Sequence, residues 1–293
     1  MFRLRPAITA SLLCCTVLAP SSPIRAQQLS EQRIDVGGFK LNVAQAGSKL
    51  PVIVFVSGLG EDLSTWHGVQ PEVSRFARTL SYDRAGLGKS DPSPASKSVE
   101  HMTSELHALL AAARIPSPCI LVGHSLGGAI VELFAFTYPD ETAGLVLVDP
   151  EDGRLLERLQ ARMPADQWDS RQKMLDQMLA QANPAQKAEI AESRASGKVL
   201  AKATPLPSVP AVLLTGTLKD LNFPGNPLEQ DLKLELQNET LATMPNARHV
   251  LVPNSRHYIQ EDAPNLVIQA IRDVLNQTGK THSPDRPSPE DAN

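Results

Sequence analysis

Cys119-Ile120-Leu121-Val122-Gly123-His124-Ser125-Leu126-Gly127-Gly128 decides how the rest of this chain reads. An apolar, β-like run ends in a serine flanked by glycines, and from Ala129 to Tyr138 apolar residues recur at helical spacing. The expectation is strand, sharp turn, helix. A serine hydroxyl is a useful nucleophile only when it is held clear of the sheet, beside a base and beside amide donors for a developing oxyanion. Gly-x-Ser-x-Gly supplies that geometry: Gly123 and Gly127 remove Cβ atoms that would collide where the chain reverses, and Ser125 takes the strained apex. The Leu126 N–H, at the start of the helix, then points where negative charge would form.

Outward from this unit the chain keeps alternating. Upstream, Ile34 to Val43 reads as a hairpin turned at Gly37-Gly38, and Val52-Ile53-Val54-Phe55-Val56 as a strand covered on both faces. The loop Ser57-Gly58-Leu59-Gly60 follows it, and its glycines let backbone approach a ligand, which makes the Leu59 N–H the second candidate oxyanion donor. Thr79 to Tyr82 is a further short strand. Asp83 and Arg84 after it are expected to fix a turn and brace the loop below the site. Ser98 to Ala113 is helical, with Met102, Leu106, Leu109 and Leu110 on one face. Its His101 and His107 have no carboxylate or cysteine at metal-ligand spacing, so no metal site is expected.

Downstream, Ala143 to Val148 is another buried strand, ending at the carboxylate of Asp149. Residues 151 to 205 change to charged, alanine-rich helical segments, read as an inserted helical cap. Its Met174, Leu175, Met178 and Leu179 recur as a stripe that suits packing better than a pocket wall. Strand chemistry returns at Pro210 to Gly216. Thr217 to Asn226 is then a loop and Leu228 to Met244 a helix, followed by a last strand, Arg248 to Pro253. The polar loop Asn254-Ser255-Arg256-His257-Tyr258 leads to a final helix from Pro264 to Leu275. Strands alternating with helices give an α/β fold with a mostly parallel, doubly wound sheet. The core comprises residues 27–150 and 206–277.

The two ends read differently. Residues 1–26 have a basic start (Arg3, Arg5), an uncharged apolar run from Ala7 to Ala19 and a cleavable stretch ending at Ala26, which is the anatomy of a secretory signal. The expected location is therefore secreted or periplasmic, with no stable membrane insertion after cleavage. Cleavage removes three arginines and no acids, taking the formal net charge from −4 to −7, a balance that does not favour nucleic acid or an anionic membrane. It also removes Cys14 and Cys15, leaving Cys119, in the apolar run, as a buried structural thiol. Thr278 to Asn293 is rich in polar residues and proline and reads as a disordered tail.

Four stretches in order carry a resemblance: Ser57-Gly58-Leu59-Gly60, Tyr82-Asp83-Arg84-Ala85-Gly86-Leu87-Gly88-Lys89-Ser90, Gly123-His124-Ser125-Leu126-Gly127-Gly128 and Ser255-Arg256-His257-Tyr258. From about Ile34 to Leu275 the chain resembles the α/β-hydrolase superfamily. The resemblance implies Ser125 as nucleophile and His257 as base. The residues agree, because an imidazole between the last strand and last helix can take and return the serine proton. For the acid it allows two places, Asp149 at the end of the strand after the nucleophile helix, or Asp220 after the next strand. Asp149 is preferred because it comes straight off a buried run, and Asp220 stays as the alternative. Ser57 departs from the pattern, where histidine is frequent. The expected function is a serine hydrolase acting on a small ester-like substrate, with a moderately apolar acyl or alcohol group and no cofactor. Two other readings stand beside it: cofactor-free perhydrolysis with the same residues, and a non-catalytic ligand-binding member of the fold.

Overall fold

The computed structural model describes residues 29–193, 195–219 and 226–281. The signal-like residues 1–26, the alternative acid Asp220 and residues 282–293 of the expected tail lie outside the described residues.

Eight strands make one sheet: β1 (Ser30–Asp35), β2 (Lys40–Ala46), β3 (Val52–Val56), β4 (Arg78–Tyr82), β5 (Cys119–His124), β6 (Thr142–Val148), β7 (Ala211–Gly216) and β8 (Ala247–Val252), in the order β1-β2-β4-β3-β5-β6-β7-β8. The hairpin β1–β2 joins the edge antiparallel, and every pairing from β4 to β8 is parallel. The apolar runs have no polar alternation because both faces are buried. In β3, Val52, Val54 and Val56 enter one core while Ile53 and Phe55 enter the other, and β6 splits Leu145 and Leu147 from Val146 and Val148 in the same way.

The helices cover both faces. α1 (Gln70–Val73) and the last helix lie on one side, and α2 (Val99–Ala112), with Ser98 capping its His101 N–H, packs with α3 (Leu126–Thr137) on the other. Four helices stand between β6 and β7: α4 (Leu155–Arg162), α5 (Ala165–Ala180), α6 (Pro184–Ser193) and α7 (Ser196–Leu200). α8 (Asn226–Leu241) packs on α4 through Leu159, Met163 and Leu232. α9 (Ile259–Asp262) precedes α10 (Pro264–Thr281), which buries Val267, Ala270, Ile271 and Val274 at helical spacing against the sheet. No helix among the described residues is long and apolar enough to cross a membrane.

One boundary corrects the sequence reading. Thr278 to Thr281 continue α10 rather than opening a disordered tail. Thr278 is buried and its hydroxyl donates to the Leu275 carbonyl at 2.8 Å, so the polar residues follow a helix whose apolar stripe has already anchored it.

The chain order reverses at β3, which pairs with β4 on one side and β5 on the other. Loops leaving the carboxyl ends of these strands diverge and open a crevice there. Register keeps the neighbouring strand ends level: Val56 is opposite Gly123, His124 opposite Val148 and Gly216 opposite Val252.

Candidate active site

Ser125 follows β5 and caps α3 with φ +51° and ψ −120°, a conformation an L-residue holds only when its surroundings over-determine it. Here they do. The Ser125 N–H donates to the Val148 carbonyl at 3.2 Å, and its carbonyl accepts from Gly128 at 2.8 Å and Glu151 at 3.0 Å. The glycines act through packing: a Cβ on Gly123 would strike the Gly127 carbonyl, and one on Gly127 would strike the Val56 carbonyl. Removing these atoms lets strand, turn and helix close on β3.

Asp149 leaves β6 with φ +45° and is fully buried. Its Oδ1 accepts the Gly216 N–H at 3.0 Å, and its Oδ2 accepts His257 Nδ1–H at 2.7 Å. With the Nδ1 proton committed to the carboxylate, Nε2 keeps the lone pair that can receive a proton. Lys233 Nζ, from α8, reaches the same Oδ2 at 2.8 Å. Burial works to raise the Asp149 carboxyl, but the His257 hydrogen bond and the Lys233 charge outweigh it and hold the group below the usual range.

The imidazole of His257 is 43% exposed, on the loop after β8, and its backbone is held from below. His124 Nε2 donates to the His257 carbonyl at 3.0 Å, while His124 Nδ1 faces Glu61 Oε2 at 3.1 Å. His124 is thus a local brace beneath the loop.

The loop after β3 is pinned by charge. On either side of Leu59, Gly58 N–H donates to Glu61 and Gly60 N–H to Glu189, each at 2.8 Å. Arg84, buried, donates to the Ser57 and Gly58 carbonyls at 2.6 Å and pairs with Glu189 through Nε at 2.7 Å. Asp83, also buried, accepts the Leu63 and Lys89 N–H groups and Asn42 Nδ2, fixing its own turn. Both residues brace, as their position in the sequence implied. Cys119 is buried at the base of β5, where burial pushes its thiol up to about 12, an inert thiol as expected. His107 stacks on Tyr138, and His101 bonds to Ser96 and Ser98, so both are structural.

Ser125, Leu59 and His257 open onto one cavity of about 720 Å³, large enough for a small organic substrate. Leu155, Leu156 and Leu159 of α4 form its apolar wall, and α5 contributes Arg171. Among the described residues no group of three or more His, Cys, Asp or Glu side chains could hold a metal ion.

Sequence reasoning missed Lys233, Glu61 and Glu189. Each is a charge inside an ordinary polar or helical stretch, and only the tertiary fold shows that Lys233 and Glu189 are buried, and Glu61 half-buried, against the site.

The Alpha/beta hydrolase family model matches residues 53–270. The chain is 36% identical over 107 residues to the uncharacterized protein YqjL of Bacillus subtilis (36% of this chain, 42% of that protein). It is also 36% identical over 110 residues to the sn-1-specific diacylglycerol lipase ABHD11 of Mus musculus (37% and 35%). The matched stretches thus span less than half the length of these relatives. Among solved structures, a thermophilic esterase from Thermogutta terrifontis superposes with a TM-score of 0.62 at 21% identity, over 85% of this chain and 99% of that one. Ordered motifs, the reversal of strand order at β3 and a family match across most of the sheet converge, and the chain belongs to the alpha/beta hydrolase family.

Proposed function

We propose that this protein is a serine hydrolase that cleaves a carboxylic ester, or a related acyl bond, through an acyl-enzyme. The observation that carries the reading is the 2.7 Å bond from His257 Nδ1 to the buried Asp149, with Ser125 and His257 facing the same cavity. In this reading Ser125 Oγ attacks the acyl carbon while His257 Nε2 takes its proton. The carbonyl oxygen becomes an oxyanion, received by the Leu59 and Leu126 N–H groups. Collapse breaks the bond to the alcohol, which leaves with the proton from His257. Water, deprotonated by the same imidazole, then releases the carboxylic acid and restores Ser125. Asp149 holds the tautomer and balances the imidazolium without itself taking the proton.

The leucine wall of α4 supports an apolar acyl or alcohol group of moderate size, with the helices between β6 and β7 serving as the cap over it. The basic and apolar start of the chain supports export, and in this reading the protein acts outside the cytoplasm.

A fluorophosphonate probe and p-nitrophenyl esters of graded chain length test the assignment. The wild type should be labelled and should turn over short to medium esters, and Ser125→Ala should do neither. Labelling that survives Ser125→Ala, or none in the wild type, would refute it.

A further inference from the structure

The carboxylate of Asp149 carries a second positive partner that the acyl-transfer scheme does not use. Lys233 Nζ bonds the very oxygen that receives His257, at 2.8 Å against 2.7 Å. The ammonium and the ring are therefore no further apart than those two distances laid end to end. Lys233 also donates to the Gly216 carbonyl at 3.2 Å, while the Gly216 N–H donates to Asp149 Oδ1 at 3.0 Å. Ammonium, carboxylate and the backbone N–H and C=O of one residue, Gly216 at the end of β7, close a ring of hydrogen bonds. Both charged members are out of water: Asp149 is 0% exposed and Lys233 is 9% exposed.

The other charges around the ring are differently engaged. Arg171 from α5 pairs with Glu229 from α8, Asp152 with Arg154, and Glu61 with His124. Asp262 of α9 accepts from Ser255 and from the Arg256 N–H, while Glu261 and Glu151, the latter with its carboxyl pushed up to about 7 by burial, stand in the same cavity. Lys233 is the cation that bonds Asp149.

Accepting the hydrolase reading above, we propose that Lys233 is a positioning residue for the reaction: it keeps Asp149 ionised and aimed at His257 throughout the cycle, including the stages at which the imidazole is neutral. A neutral ring supplies a hydrogen bond but no charge. A fully buried carboxylate with only that bond and one peptide N–H tends to take up a proton, and a protonated Asp149 cannot hold His257 with its proton on Nδ1. The lysine removes that tendency without touching the substrate.

The test compares wild type with Lys233→Met, Lys233→Gln and Lys233→Arg on a p-nitrophenyl ester, with kcat and KM followed across pH. Removing the charge should let the hydrogen-bonded His257–Asp149 pair take up its proton at a higher pH, so activity is lost earlier as the pH falls. The acid limb of kcat/KM, which belongs to that pair, should move up by about one pH unit or more. kcat should drop while KM stays within about twofold, and Lys233→Arg should bring the limb back. Lys233→Gln keeps a polar group of similar length and serves if Lys233→Met does not fold. A uniform loss with the limb unmoved would make the lysine merely structural and overturn the proposal. A change in KM alone would place it against substrate and overturn it too. A wild type that neither turns over esters nor reacts with fluorophosphonate would fail the hydrolase reading itself, which separates the two failures.

Discussion

Replacing Asp149 by Asn tests the site at its most constrained atom. Three donors converge on the carboxylate: Gly216 N–H on Oδ1, and His257 Nδ1–H and Lys233 on Oδ2. An amide offers one acceptor oxygen and two hydrogens, so at least one of those donors meets another donor. His257 is the exposed partner and the one free to adjust, by moving its proton to Nε2, where it can no longer accept from Ser125. The expected loss in kcat is about 10⁴-fold, or roughly 5 kcal/mol of transition-state stabilisation. Lys233 meanwhile loses its counter-ion in a buried position, at a cost of about 3 kcal/mol to folding. Steady-state kinetics and thermal melts read the two effects separately. The double variant Asp149→Asn/Lys233→Met should recover much of the stability and none of the kcat. Asp149→Asn with kcat within tenfold of wild type, or Asp220→Asn causing the large loss instead, would refute the reasoning.

Two further outcomes follow from buried charge. Arg84→Met strands Glu189, whose carboxyl burial would raise but which the charge and hydrogen bonds of Arg84 hold down; folding should lose about 3–5 kcal/mol and the melting temperature about 10 °C, as calorimetry would show. Glu132 in α3 is pushed up to about 8, by burial first and then by the Asp152 charge. The fold favours its protonated form, so the stability it contributes is present below the ordinary carboxyl value of 4.5 and is lost as pH rises through about 8. Glu132→Gln should therefore melt with the wild type in acid and several degrees above it near about pH 9; a constant gap across that range would count against the assignment.

The fold was legible because the inner parallel strands are buried on both faces and so write themselves as apolar runs, as in β3 and β5. Ser125 and His257 were legible because short-range chemistry marks them, a glycine-flanked turn and a polar loop between strand and helix. Asp149 was only half legible. What selects it is the register of β6 on β7, which brings Gly216 N–H and His257 to one carboxylate, and register is a long-range property. Lys233 left no trace, since a lysine in an α8 pattern rich in Glu and Gln reads as a solvated face. The apolar wall of the cavity includes the leucines of α4, which look no different in sequence from ordinary packing residues.

The pair of Arg84 and Glu189 has a mechanical consequence. Through it, and through Gln186 Nε2 donating to the Gly60 carbonyl at 2.9 Å, α6 is bolted to the loop that carries Leu59. Lifting α6 away would leave two opposite charges stranded in a dry interior. At the far side, α4 packs on α8 through Leu159, Met163 and Leu232, and the ion pairs beside that packing, Arg158 with Glu239 and Arg162 with Glu235, are open to water and weak on that account. In the proposed reaction, α6 is therefore the fixed jamb of the cavity, held by charge sealed from water.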